Sequence, residues 1–255
     1  MTQTPTHTQT YAPHEGATGP AAPHTEDGGF HPLDHPAYAA LTGPHAHFAE
    51  RGGSGMALRY PTDVTPWTAL PPDPGPSDWA GLAAFAAPDG TLPLLGTDVE
   101  LPEGWETTVD FAGVRMVGDA VDASPDPEAV LLGADDVPEM LDLVARTRPG
   151  PFTPRTIELG TYLGIRQDGA LVAMAGERLH LPGYTEVSAV CTDPDHRGKG
   201  LAGRLVKAVA AVVQERGETP FLHTGEGNKS AIRLYESLGF HLRNTTRFRT
   251  VRAPR

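Results

Sequence analysis

The clearest chemistry in the chain sits in one short stretch, "CTDPDHRGKGLAGRL", Cys191 to Leu205, where Gly198, Gly200 and Gly203 surround Lys199 directly after Arg197. Glycine leaves backbone N–H groups uncovered. The residues that follow have a helical pattern, so the turn lies where a helix presents unpaired donors and the positive end of its dipole. Such a turn is suited to an anion, and a phosphate is its natural guest. Gly198-Lys-Gly200-Leu-Ala-Gly203 formally satisfies GxGxxG, the dinucleotide fingerprint. Its context does not fit. "TDPDHR" separates it from the preceding strand, the next strand ends at His223-Thr224 rather than at an acidic residue, and too little chain follows for a doubly wound sheet. The GxxxxGK[ST] phosphate loop is absent.

The elements around the turn alternate between strand and helix. "AVLLGADDVPEMLDLVARTRPG" predicts a short apolar strand and a helix from about Val137 to Arg148, capped by Asp135 or Asp136. "TYLGIRQDGALVAMAGERLHL" reads as two strands joined at Gln167-Asp168-Gly169. "TEVSAVCT" is a third strand, whose alternation puts Val187, Ala189 and Cys191 on one face and Glu186, Ser188 and Val190 on the other. The helix after the glycines has Leu201, Leu205, Ala208, Val209 and Val212 on one stripe and Arg204, Lys207, Ala211 and Gln214 on the opposite one, with Gly217 as its stop. "PFLHT" is a strand, "NKSAIRLYESLG" a helix capped by Asn228 and stopped by Gly239, and "FHLRNTTRFRTVR" a final strand. The fold class is mixed α/β, a central sheet flanked by helices.

Composition narrows the function. A formal charge of -12 argues against a nucleic-acid binder, which needs a surplus of Lys and Arg on one face. One cysteine, Cys191, excludes an intrachain disulfide framework and fits a reducing, cytoplasmic setting. No segment has the length and apolarity of a membrane span, and the first residues lack the pattern of a signal peptide. Residues 1–29 read as a disordered tail, too poor in apolar residues to offset ordering entropy. His7, His14, His24, His31, His35, His45 and His47 crowd the first fifth of the chain, but their irregular spacing and the lack of cysteine beside them argue against a metal site. Residues 30–126 alternate short apolar pieces with Pro and Gly clusters. Helices are expected at Pro36 to Glu50 and at Ser77 to Ala87, with Ser77 or Asp78 as cap, and strands at Met56 to Tyr60, Trp105 to Asp110 and Gly113 to Val117. The Pro-rich "DASPDPEAV" suggests a domain boundary, dividing an N-terminal domain, 30–126, from a second one, 127–255. Trp67, Trp79 and Trp105 could line a substrate pocket, with core packing as the favoured role for each. The arginines from Arg243 to Arg255 are read as a solvated terminal strand and tail.

"VCTDPDHRGKGLAGRL" followed by "GNKSAIRLYESLGF" resembles the GCN5-related N-acetyltransferase (GNAT) family, in particular its FR47-like subgroup. The family signature R/Q-x-x-G-x-G/A is filled by Arg197 to Ala202, and its late helix with Asn and Tyr by Asn228 and Tyr235. The resemblance runs from about Val130 to Arg252. Residues 30–126 match no nameable pattern, although degenerate acetyltransferase-like halves occur in relatives.

The resemblance implies that the turn holds the pyrophosphate of acetyl-CoA, the acetyl donor, with no metal. Backbone N–H groups of Arg197, Gly198, Lys199, Gly200, Leu201 and Ala202 would ring the phosphate oxygens. The strand before the turn would splay from its neighbour, freeing the backbones of Val190, Cys191 and Thr192 to pair with the pantetheine amides in the manner of an added strand. Asn228 would contact the same molecule while capping its helix. An acceptor ammonium, with a pKa near ~10.4, must lose a proton before it attacks a thioester. Glu186 is the first candidate base and His223 the second, with a solvated strand face and a structural histidine as their simpler roles. Tyr235 would protonate the departing thiolate. Cys191 shares a face with apolar residues and is given no nucleophilic role. A small-molecule primary amine is the expected acceptor, with a protein or peptide amine behind it and a homodimer left open. The alternative is a module that binds acyl-CoA without turnover, which would need the turn but not Glu186, His223 and Tyr235.

Overall fold

The computed structural model describes residues 30–95 and 99–254. The expected tail, residues 1–29, lies outside the described residues. The first half supplies β1 (Glu50–Arg51), β2 (Leu58–Arg59), β3 (Thr68–Ala69), β4 (Thr91–Leu95) and β5 (Glu106–Val117), with α1 (Pro36–Leu41) and α2 (Pro76–Ala83). The second half supplies β6 (Val130–Leu131), α3 (Val137–Thr147), β7 (Tyr162–Gln167), β8 (Ala170–Leu181) and β9 (Tyr184–Thr192). It continues with α4 (Leu201–Glu215), β10 (Thr219–Gly225), α5 (Lys229–Ser237) and β11 (His241–Arg252). All these strands join one mixed sheet in the order β1-β2-β3-β4-β11-β5-β10-β9-β8-β7-β6.

The boundary expected near residue 126 does not separate two sheets. β5 lies between β10 and β11 and pairs antiparallel with both, so a strand from the N-terminal half completes the sheet of the second half. The cores merge as well. Leu33, Leu41, Tyr60 and Val64 pack in one cluster with Leu179, Leu181 and Phe221 of β8 and β10. Fully burying one such side chain contributes roughly 1.5–3 kcal/mol. α4 covers another part of the sheet through Leu201, Leu205, Val206 and Val209, and α3 a third through Met140 and Leu143.

Local expectations are corrected at several points. The helix expected at Pro36 to Glu50 stops at Leu41, because Gly43 and Pro44 interrupt it, and the chain turns through a short 3-10 segment, Ala46–Phe48. The helix expected at Ser77 to Ala87 is α2, and its cap is Gly75, whose N–H donates to Asp78 Oδ2 at 2.8 Å. The two strands expected at Trp105 to Asp110 and Gly113 to Val117 are one, β5. The β7–β8 turn is as expected: Asp168 and Gly169, at φ 50° and 85°, supply the left-handed pair of a tight hairpin. The arginines of β11 are partnered rather than free. Arg243 pairs with Asp34, Arg247 with Asp110 and Arg252 with Glu106, each a residue of the first half.

Candidate active site

β9 and β10 run parallel and pair only through Thr219↔Tyr184, Pro220↔Thr185 and Phe221↔Glu186. Beyond Glu186 they part. The gap between them opens a cavity of about 620 Å³, lined by Val187 to Thr192 of β9, His223 to Gly225 of β10, the glycine turn, and Asn228 and Tyr235. The opposite edge of β9 stays paired to β8 at Ala173↔Thr192 and Met174↔Cys191. Among the described residues, the edge at Val190, Cys191 and Thr192 that faces the cavity has no strand beside it.

Strict alternation fails along β9. Ala189 has φ 52°, and the β8–β9 register shifts between Met174 and Gly176. This bulge reverses the faces downstream of it. Val187 and Val190 therefore pack on the α4 side, whereas Ala189 and Cys191 pack on the α3 side. The expectation that Val187, Ala189 and Cys191 share one face is corrected accordingly. Burial raises the Cys191 thiol to about 11, so it is protonated at neutral pH.

In the turn itself, Gly198 and Gly200 have φ 75° and 74°, and a Cβ on either would meet nothing within 4 Å. The backbone conformation, not lack of room, calls for glycine there. Gly203 is different: its Cβ position lies 3.4 Å from Leu234 Cδ1, which lets α4 approach α5 closely. Among the described residues, the backbone N–H groups of Gly198 to Gly203 donate no hydrogen bond. Gly198, Gly200, Leu201, Ala202 and Gly203 line the cavity at the start of α4, where free backbone donors suit an anion. Arg197 is held by its Nε, which donates to the Thr192 carbonyl at 3.3 Å. Lys199 does not line the cavity; its Nζ lies 3.4 Å from Gln167 Oε1 and 3.3 Å from His196 Nδ1. Asn228 caps α5, its Oδ1 accepting from the Ala231 N–H at 3.3 Å, and it also lines the cavity.

At the inner end, where β9 and β10 part, four charged or polar side chains are buried together. Glu186 and His223 have fully buried side chains. Arg178 donates to both oxygens of Glu186, from Nε at 2.9 Å and from Nη2 at 2.6 Å. Glu186 Oε1 lies 2.9 Å from His223 Nδ1, and Arg115 donates from Nε to His223 Nε2 at 2.8 Å. An arginine only donates, so Nε2 is the accepting nitrogen and Nδ1 carries the proton given to Glu186. Burial pushes the Glu186 carboxyl up, but the Arg178 guanidinium and the His223 hydrogen bond outweigh it and hold the carboxyl down to about 2. Burial also lowers His223, and Arg115 beside it adds to the effect. Both nitrogens of His223 are occupied and the carboxylate is strongly paired, so neither candidate base offers the free, basic lone pair expected of it. Tyr235 is buried, and burial alone raises its hydroxyl to about 12, keeping it a proton donor.

A second cavity, of about 330 Å³, reaches the same place from another side and shares Arg178, His223 and Pro149 with the first. Arg178, Arg115 and the walls of this second cavity other than Trp67 escaped sequence reasoning. The available signal for Arg178 was the pair of opposite charges flanking the turn at Pro182-Gly183. Among the described residues, no group of three or more His, Cys, Asp or Glu is placed to hold a metal ion, and no helix is long and apolar enough to cross a membrane.

The model of the FR47-like protein family matches residues 162–249, from β7 into β11. A solved GNAT-family structure from Novosphingobium aromaticivorans is 39% identical and covers 89% of this chain and 100% of its own, with a TM-score of 0.80. A mycothiol acetyltransferase of Thermobispora bispora is 46% identical over 106 residues, 39% of this chain and 34% of the relative. An N-alpha-acetyltransferase RimI of Mycobacterium tuberculosis is 33% identical over 129 residues, 45% of this chain and 80% of the relative. The chain spans from 56% down to about a third of the length of the first curated relatives it matches. A splayed strand pair ending at a glycine cradle, and full-length likeness to a structure of known family, lead to one assignment: the chain belongs to the GCN5-related N-acetyltransferase family.

Proposed function

We propose that this protein is an acetyl-CoA-dependent N-acetyltransferase that moves the acetyl group to a primary amine of a small molecule by direct attack. The observation that carries the reading is the pair of cavities meeting at Arg178 and His223, one of them headed by the unpaired N–H groups of Gly198 to Gly203. The cradle suits a pyrophosphate, the free edge of Val190 to Thr192 suits an extended amide-bearing arm, and the junction is where a thioester would meet an acceptor.

In this reading the neutral amine attacks the thioester carbonyl, the C–S bond breaks, and the departing thiolate takes a proton from Tyr235 while the amine's surplus proton passes to water. Glu186 and His223 act as positioning residues rather than as bases. They fix Arg178 at the junction of the cavities. Three of the four groups there are charged, two guanidiniums against one carboxylate, and the net positive field disfavours an ammonium and favours the neutral amine. Relatives named for mycothiol and for an alanine of ribosomal protein bS18 represent both acceptor classes; the small volume of the second cavity favours a small molecule. The buried thiol of Cys191 suits work in a reducing, cytoplasmic setting.

The occupied lone pairs of Glu186 and His223 favour one alternative, a module that binds acyl-CoA without turnover. Thiol release from acetyl-CoA across a panel of amines, with calorimetric CoA binding on the same preparation, separates the two. Turnover with any amine supports the transferase, and tight binding without turnover on a broad panel supports the alternative.

A further inference from the structure

The second cavity has a composition of its own. Its walls are Trp67, Val109, Phe111 and Phe248 with a set of prolines and Arg249, and among the described residues no carboxylate lines it. Phe111 and Phe248 stack with ring centroids 5.0 Å apart and planes 16° apart, although Phe111 remains 51% exposed. Val109, two residues before it on β5, is 49% exposed. Apolar side chains kept at the surface on one strand, beside a concave opening, mark a binding face. At the floor, the Arg178 guanidinium lies 5.5 Å from the centre of the Trp67 ring, and the Trp67 Nε1 is buried without a hydrogen-bond partner among the described residues.

Resting on the acetyltransferase reading above, we propose that this cavity binds the acceptor and selects an arylalkylamine, a primary amine on a short chain attached to a flat apolar ring. The ring would lie against Phe111 and Phe248, where offset aromatic contacts are favourable. The chain then carries the amine inward to Arg178 and His223, which both cavities share. A polyamine fits poorly, because with one amine at Arg178 its second ammonium would lie back along the apolar walls, where Arg249 and no carboxylate lines the cavity among the described residues. A peptide fits poorly because the cavity, at about 330 Å³, lies at the small end of ligand sites and offers apolar walls to a backbone that needs hydrogen bonds.

The test uses the full chain, with thiol release measured for 2-phenylethylamine and tryptamine against propylamine, spermidine and an alanine-initiated tetrapeptide. The proposal expects kcat/KM for the two arylalkylamines to exceed each of the others by about tenfold or more, a factor matching the ~1.4 kcal/mol an aromatic contact can supply. Phe111→Ala should raise KM for tryptamine about tenfold, leave KM for acetyl-CoA unchanged, and be largely rescued by Phe111→Tyr. A preference for spermidine or the peptide, or equal losses for all acceptors in Phe111→Ala, overturns the proposal. If CoA binds and no amine is turned over, the acetyltransferase reading fails by itself, and calorimetry of tryptamine with the CoA-loaded protein decides the cavity: binding weakened by Phe111→Ala supports the aryl site, and no binding overturns it.

Discussion

Arg115 donates its Nε proton to His223 Nε2 at 2.8 Å across a separation of 108 residues. One partner stands on β5 of the N-terminal half, the other on β10 at the junction of the two cavities. The contact fixes the histidine tautomer, and through His223 Nδ1 it orients Glu186 and so Arg178. The N-terminal half thereby contributes to the buried polar network of the proposed site as well as to its walls.

The Glu186→Gln variant tests this arrangement. Removing the carboxylate charge leaves the buried Arg178 uncompensated, and losing one partner of a buried pair costs about 3–5 kcal/mol. Urea denaturation should show a loss of that size. A base that did no structural work would instead give a stable, slow enzyme.

Gly200→Asp should reduce CoA affinity about 100-fold or more, since a carboxylate near ~4 Å from a phosphate costs up to about 4 kcal/mol at a partly screened site. The left-handed φ of 74° adds about 1–2 kcal/mol of strain to the fold. Calorimetric titration with CoA, run beside Gly200→Ala to isolate the strain, measures the charge effect.

Tyr235→Phe should leave CoA binding intact and slow a single turnover by about 100-fold, the scale of a lost general acid. Rapid-quench measurement with saturating acetyl-CoA reads the step directly. The variant keeps the ring that packs 6.0 Å from Phe240, so its stability should be close to that of the parent.

Stability should fall on acidification below neutrality. His45, buried against Tyr60 at 2.9 Å and 5.0 Å from the His180 ring, is lowered from 6.5 to about 3, chiefly by burial. The unfolded chain therefore binds a proton that the folded one refuses, so this contribution is complete above pH 6.5 and is lost as pH falls toward 3. His223, lowered in the same direction, adds to the loss. Glu186 acts later, its contribution disappearing only as pH falls from the ordinary carboxylate range toward 2. By about pH 5 the His45 effect reaches at most about 2 kcal/mol. Urea midpoints at pH ~7.5 and ~5 check it, and His45→Gln should flatten the slope.

What the sequence made legible was local. The glycine turn and the Asp168-Gly169 hairpin depend on left-handed backbone that few residue types accept, and the Asn228 cap on a short side-chain oxygen that accepts a helix N–H, so each can be read over a few positions. The bulge at Ala189 left no such trace, because an alanine at positive φ looks like any other alanine, and every face assignment beyond it reversed. The role of Glu186 was hidden for another reason. Its basicity is set by Arg178 and His223, and the partner of that histidine lies on a strand that hydrophobic patterning alone cannot assign to the same sheet.

The position of β5 also bears on how the molecule comes to be assembled. Thr108 and Thr250 meet across 142 residues, and until β10 and β11 exist, β5 has nothing to pair with on either side. Such distant pairings bear a large loop-closure entropy and slow folding. During synthesis β5 must wait as an unpaired strand with Val114, Met116 and Val117, which the fold buries, open to solvent, a state prone to wrong partners. A fragment cut at residue 126 would release both flanking strands as raw edges, so dissecting the chain into an N-terminal piece and an acetyltransferase piece should yield two aggregating fragments rather than two working modules.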